Sequence, residues 1–168
     1  GEVDGASRGR GSAMPSEDEM RPPTRIKPKG TSDYLAVMSQ AVFKSGMAWR
    51  VAENKWDGIR EAFHDFDVVR VASMDEPEID ALAQDTRVIR NRRKLNAIVS
   101  NAARMVELEA EHGSMKKYLR QAGDFEEQSK TLKRDFKFMG DFGSYYFLYV
   151  VGETVPDYQE WRAELAAR

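Results

Sequence analysis

The sequence predicts an all-α fold: a compact multi-helix domain built around a helix–hairpin–helix motif. Three observations predict it. Apolar residues recur at helical i, i+3 and i+4 spacing, most clearly at Trp49, Ala52, Trp56, Ile59, Ala62 and Phe63. No stretch alternates with period two, and Val68–Val71 is too short to make a strand. Between Phe136 and Gly152, a glycine turn, Met139-Gly140-Asp141-Phe142-Gly143, separates a short helix (Glu126–Arg134) from a strongly apolar one that starts at Ser144.

The elements follow in order. Residues 1–30 read as a disordered N-terminal arm, rich in Gly, Ser, Pro and charge with almost nothing apolar to bury. Met14 is an alternative natural start, the residues before it being then an appendage. Pro22-Pro23 and Lys27-Pro28-Lys29-Gly30 make the end of this arm extended and basic. Residues 31–168 form the helical domain. Ser32, with Asp33 beside it, is a good N-cap for a helix through about Phe43. Ser45-Gly46-Met47 interrupts, with Gly46 as C-cap or tight turn. Trp49–Phe63 is the next helix, and Asp67–Ala72 a short one. Asp75-Glu76-Pro77 begins another, because proline suits the first helical turn. Arg93–Glu111 is a long helix ended by Gly113, Ser114–Gln121 is short, and Tyr158–Ala167 closes the chain with Trp161 and Leu165 inward. Many short helices joined by short loops pack as an all-α domain.

Composition bounds the function. At 168 residues, 41% hydrophobic and 32% charged, the chain is an ordinary soluble domain able to bury a core. Its longest apolar run, Tyr145–Val151, is too short for a membrane span. The N-terminus lacks the basic-then-apolar pattern of a signal peptide, so a cytoplasmic protein without membrane contact is expected. Cysteine is absent, which excludes disulfides and thiolate metal sites. His64 and His112 are too few and too far apart for a zinc centre, and no cofactor is expected. No obligate protein partner is evident. A net charge of −2 does not announce a nucleic-acid binder, but a basic face can coexist with an acidic one.

The hairpin carries the functional signal. Gly140 and Gly143 permit backbone geometries that a Cβ would obstruct. Amides exposed there, with those at the start of the Ser144 helix, make an anion site suited to a DNA phosphate. Such a contact positions a protein without reading sequence. Lys130, Lys133, Arg134 and Lys137 precede the hairpin and add charge attraction. The alternative is a plain glycine turn between two core helices; Tyr145, Phe147, Leu148 and Val151 are core in either case.

Three blocks then resemble a known family. Ser45-Gly46-Met47-Ala48-Trp49 is similar to an Ala-Gly-Leu-Ser-Trp segment. Phe63-His64-Asp65-Phe66-Asp67, Val69–Met74, Ile89-Arg90-Asn91-Arg92-Arg93-Lys94 and Asn101-Ala102 resemble its middle, and Phe136-Lys137-Phe138-Met139-Gly140 its Gly-Phe-Lys-Phe-Val-Gly hairpin. In this order and spacing, from about Tyr34 to Asp157, the chain resembles the DNA-3-methyladenine glycosylase I family of the helix–hairpin–helix glycosylase superfamily. The resemblance implies a helical fold with a base pocket between two helical halves. It also implies hydrolysis of the N-glycosidic bond of an alkylated base flipped out of double-stranded DNA. Trp49 matches the tryptophan that stacks on the base, and the Gly140 hairpin the backbone clamp. A base methylated at N3 is cationic and leaves readily, and an aromatic wall favours it by cation–π attraction.

The chain departs from that pattern at three places. The family holds a structural zinc through Cys and His near both ends, which this chain cannot supply; packing of the Trp161 helix is the expected substitute. The family's base-contacting glutamate lies eight residues before the tryptophan, where this chain has Ala41, with Gln40 beside it. Either the pocket takes another lesion or a different residue supplies the carboxylate. The family's N-terminal pocket aromatics lack clear counterparts in residues 1–33. Asp157 is the candidate catalytic carboxylate, near the superfamily's aspartate after the hairpin helix, or else the N-cap of the last helix; Glu153 is a weaker candidate. Phe142 stands about where a Schiff-base lysine would lie, so no strand-cleaving lyase step is expected. Gln40, Ala41, Trp49, Asn91 and Asn101 are the expected pocket residues. Lys137, Gly140, Gly143, Ser144, Arg92 and Lys94 are the expected DNA contacts, the last two from a basic run that also includes Arg87, Arg90 and Arg93. The competing reading is a non-catalytic helix–hairpin–helix DNA-binding protein; a helical adaptor without a DNA role is the third.

Overall fold

Most helix starts in this chain are fixed by a short polar side chain accepting a backbone amide that the helix itself leaves free. In the computed structural model, which describes residues 23–168, Asp67, Asp75, Asn91, Ser114, Asp124 and Asp157 each accept the amide three residues on. Asp75 and Glu78 reciprocate in a full capping box, with Pro77 in the first turn. The elements in order are α1 (Thr31–Lys44), α2 (Trp49–Ala62), a tight turn at His64–Phe66, α3 (Val68–Ala72), α4 (Glu76–Leu82), α5 (Arg92–His112), α6 (Met115–Ala122), α7 (Phe125–Asp135), α8 (Asp141–Val150) and α9 (Tyr158–Ala167); α1, α2 and α8 start without a side-chain cap. No strand occurs among the described residues, so the all-α expectation holds.

Two boundaries differ from expectation in ways that matter. Ser32 is not a cap. Gly30 holds the N-cap position of α1, and the Ser32 hydroxyl instead accepts the Val68 amide at 3.0 Å, tying α1 to α3. The helix after the hairpin starts at Asp141 rather than Ser144, because the Ser144 amide already donates to the Gly140 carbonyl at 2.9 Å.

The long α5 runs through the middle of the molecule. Its apolar phase, Leu95, Ile98, Ala102, Met105 and Leu108, is buried. Helices α1, α3, α4 and α6 pack on it, and α8 packs on α1. Phe43, Phe63, Phe66 and Phe147 are fully enclosed, with Phe63 and Phe66 stacked 5.2 Å apart. Trp56 stacks on Phe66 at the same 5.2 Å, at the edge of the core. Tyr145, Phe147, Leu148 and Val151 are buried as expected.

Residues 1–22 of the expected arm lie outside the described residues. The rest, 23–30, is extended and fastened rather than loose. The Ile26 amide donates to the Val150 carbonyl at 2.8 Å. The Arg25 guanidinium lies 4.0 Å above the Tyr149 ring and donates to the Glu153 carbonyl. Among the described residues, no helix is long and apolar enough to cross a membrane.

At the other end, α9 docks through Trp161, which is buried against Phe125, Phe142, Tyr145 and Tyr158, with the Tyr145 ring 4.6 Å away. An aromatic cluster of this size anchors the helix by area and by edge-to-face geometry. Trp161→Ala is expected to lower unfolding free energy by about 3–5 kcal/mol in urea denaturation; a loss near zero would mean that α9 is not part of the cooperative core.

Candidate active site and nucleic-acid interface

The last turn of α1 ends in carbonyls without helical partners, and a buried lysine satisfies them. The Lys94 ammonium of α5 donates to the Phe43 carbonyl at 3.0 Å and the Ser45 carbonyl at 2.6 Å. A cation at a helix C-terminus is favoured by the helix dipole as well. Gly46, at φ +72°, then turns the chain, and α2 begins at Trp49. Lys94 therefore fixes the turn that carries Trp49.

Trp49 is half-buried and meets the Tyr146 ring edge-on, 5.7 Å between centroids. Between them sits Lys44, the last residue of α1 and only 6% exposed. Its ammonium lies 4.9 Å from the Trp49 ring and 4.5 Å from the Tyr146 ring. It also donates to Glu53 at 3.2 Å and to the Tyr146 hydroxyl at 3.3 Å. The Tyr146 hydroxyl passes the chain on to the Gln40 amide oxygen at 3.2 Å. Burial, and then the Glu53 charge, push the Tyr146 pKa up, so the phenol stays protonated and can donate. Gln40, Lys44, Glu53, Trp56 and Tyr146 face a cavity of about 490 Å³ between the extended N-terminal segment, α1, α2 and α8. A phenol, an amide, a carboxylate and a cation thus meet at the wall of a cavity large enough for a small planar ligand, while Trp49 contacts Lys44 and Tyr146 without itself lining that cavity.

The hairpin between α7 and α8 is set by another side chain of α5. The Lys137 amide donates to Asn101 Oδ1 at 2.8 Å, and Asn101 Nδ2 donates to the Lys137 carbonyl at 3.1 Å. Asn101 is 1% exposed, so each of these bonds is costly to lose. Phe138 follows at φ +59°, and Gly140 caps α8. A side chain at Gly140 would meet no protein atom within 4 Å, and its φ of −93° suits any residue. Nothing inside the fold requires glycine there. The amides of Asp141, Phe142 and Gly143 open this helix ahead of its first intrahelical bond, from the Ser144 N–H to the Gly140 carbonyl. Beside the hairpin runs a trough of about 600 Å³ lined by Arg93, Asn96, Ala97, Ser100, Lys137 and Phe138.

The expected residues divide accordingly. Gln40 and Trp49 lie at the cradle. Ala41 is buried in the packing of α1 against the start of α8, 3.8 Å from where a Gly143 Cβ would stand. Asn91 caps α5 by accepting the Lys94 amide, and Asn101 holds the hairpin; both build the frame rather than a pocket wall. Gly140 and Lys137 are exposed at the hairpin. Ser144 is fully buried, with its amide used inside α8, which leaves the first-turn amides to residues 141–143. Lys94 is buried, which removes it from any DNA surface. Arg92 is drawn to Glu76 and Asp80 of α4. Asp157 is exposed and caps α9 by accepting the Glu160 amide at 3.1 Å. Glu153 is buried, its carboxylate held by Arg120 and Gln128. Three residues escaped the sequence reading: Lys44, Tyr146 and Glu53. Glu53 was findable, since it stands one helical turn after Trp49 on the same face.

These elements define an all-α bundle whose hairpin between α7 and α8 is braced by α5 and whose aromatic cradle closes the end of α1. A model of the methyladenine glycosylase family matches residues 28–139, and the chain belongs to that family. DNA-3-methyladenine glycosylase 1 of Escherichia coli (strain K12) is 38% identical over 66 residues, 39% of this chain and 35% of that protein. DNA-3-methyladenine glycosylase of Haemophilus influenzae (strain ATCC 51907 / DSM 11121 / KW20 / Rd) is 41% identical over 66 residues, 39% of this chain and 36% of that protein. The match thus spans about a third of the length of these curated relatives. The solved structure of 3-methyladenine DNA glycosylase I from Staphylococcus aureus, described as the basis of 3-methyladenine recognition, superposes with a TM-score of 0.69 at 25% identity, covering 77% of this chain and 80% of that one. A structural zinc does not fit this chain: it has no cysteine, and among the described residues no group of three or more His, Cys, Asp or Glu could hold a metal.

Burial lowers the Lys94 ammonium pKa to about 8. An unfolded lysine titrates near ~10.4. The unfolded chain therefore binds a proton between those values that the folded chain has released, so this group's contribution to stability rises with pH across about 8 to 10.4 and is flat below. The stability difference between wild type and Lys94→Met, from urea denaturation at pH 7 and pH 9.5, is expected to move in favour of wild type at the higher pH. A move the other way would place the ammonium in a charge-stabilised site instead.

Proposed function

We propose that the protein is a DNA N-glycosylase that hydrolyses the N-glycosidic bond of an alkylated base, in base excision repair at the cytoplasmic nucleoid. The observation that carries this reading is Gly140: an exposed glycine at the N-cap of α8 that the fold does not need, in the hairpin that resembles the family's. The hairpin amides and the cations beside it would hold the phosphates of double-stranded DNA. The flipped base would enter the cavity beside Trp49, as the names of the chain's relatives suggest for 3-methyladenine. Glu53 is the carboxylate nearest Trp49 along the chain and supports a charge role toward the developing sugar cation; Asp157 reads as a helix cap.

The charge assignments are testable. Arg93 and Lys137 form no ion pair among the described residues. Neutralising both is expected to weaken binding to undamaged duplex and to reduce the slope of log affinity against log salt by about 2, because each phosphate contact contributes about 1. Arg92→Ala, whose guanidinium is occupied by α4, should leave that slope unchanged. Equal effects from Arg92 and Arg93 would refute the assignment.

Catalysis is tested by incubating the protein with DNA carrying alkylated bases and following released base by chromatography. Release by wild type is expected, its loss in Trp49→Ala with duplex affinity retained, and an unchanged rate in Asp157→Asn. Duplex binding without any release would support the non-catalytic reading, for which Ala41 and the missing N-terminal pocket aromatics argue.

A further inference from the structure

Trp49, Tyr146 and Glu53 form the kind of enclosure that selects a cation: two electron-rich rings and a carboxylate. In this chain the enclosure holds a cation of its own. Lys44 Nζ lies within 5 Å of both ring centroids and within 3.3 Å of both the Glu53 carboxylate and the Tyr146 hydroxyl. The lysine is not a surface group that has drifted in. It is 6% exposed and closes the last turn of α1, whose end Lys94 pins.

An arriving cation would meet that ammonium at the wall, where burial strengthens the repulsion, even though Asp33, Asp65 and Arg60 also line the cavity. It could gain the ring faces only by expelling Lys44 from them. A neutral planar base meets no such repulsion. It can lie in the cavity against Gln40 and the outer face of the cradle, with the ammonium favouring an edge of acceptor atoms. The neighbours permit this: Gln40 presents an amide, and the Tyr146 phenol is held protonated by its burial and donates to Gln40.

We propose that Lys44 is a specificity-determining residue that fills the Trp49–Tyr146–Glu53 cradle and turns the site from cationic to neutral alkylated bases. This rests on the glycosylase reading of the same site and narrows it. The substrate class is an alkylated base that carries no formal charge and offers ring-nitrogen or carbonyl acceptors, as an etheno-bridged adenine does.

The test compares three duplexes of one sequence by fluorescence anisotropy: undamaged, with a single 1,N6-ethenoadenine, and with a single 1-methyladenine, which is cationic at neutral pH. Neither lesion needs to be excised for its affinity to be read. Wild type is expected to bind the ethenoadenine duplex at least tenfold tighter than the 1-methyladenine duplex. Lys44→Gln should bring the ratio to about one or invert it, with affinity for undamaged duplex unchanged. Glu53→Gln leaves the ammonium in place without its carboxylate and should raise the ratio further, which keeps the test decisive if Lys44→Gln does not fold. A wild-type ratio near one, or one that survives in Lys44→Gln, overturns the proposal. Duplex binding without lesion discrimination would overturn it while leaving the hairpin contacts standing, and base release by wild type reports separately on the parent reading.

Discussion

Two buried polar side chains of α5, Lys94 and Asn101, hold the functional geometry together. They stand seven residues apart on one helix face, about 10 Å along the axis. Each reaches out of its helix to backbone groups of a segment that has no regular partner. Lys94 takes the carbonyls that end α1 and so sets the turn before Trp49. Asn101 takes the amide and carbonyl of Lys137 and so sets the hairpin before Gly140. The spacing between cradle and hairpin is thus imposed by the rise of a single rigid helix. A protein that must hold a backbone and receive a base displaced from it needs such a fixed separation.

Local pairing, rather than total charge, decides which surface stays basic. The chain is net negative, yet its acids are spent close by. Arg92 goes to α4, Arg134 to Asp135, Lys133 to Asp141 and Arg120 to Glu153. What remains beside the hairpin is Arg93, 5.7 Å above the Phe138 ring, and Lys137, along one trough. Arg93 and Lys137, without acidic partners, give the trough a local positive field that an overall composition conceals.

The same run shows how far the sequence was legible. Arg92, Arg93 and Lys94 look alike in a list, but successive helical residues point about 100° apart. One therefore meets α4, one the trough and one the core. The phase was readable: Lys94, Ile98, Asn101, Met105 and Leu108 recur at helical spacing, and all are buried. Charge type argued for solvent and hid the phase. The hairpin was legible because glycine is punctuation, and the Trp49 turn because Gly46 needs a positive φ. Glu53 was findable one turn after Trp49, but its meeting with Lys44 was not, because that depends on the crossing of α1 and α2 and on Tyr146 from α8, more than a hundred residues along the chain. Local spacing carries no information about such a crossing.

Ala41 links these observations. Its side chain lies against the first turn of α8, where a Gly143 Cβ would stand 3.8 Å away and the Met139 sulfur closes the gap. Small residues on both helices let α1 and α8 approach closely, as small residues do wherever helices touch. That approach brings Tyr146 of α8 against the end of α1, where Lys44 stands one residue before the turn. A glutamate at position 41 would need that space. With alanine there, the close packing brings a phenol to Lys44, while the carboxylate beside it comes from Glu53 on α2. The small residue at position 41 and the filled cradle are two results of one helix contact.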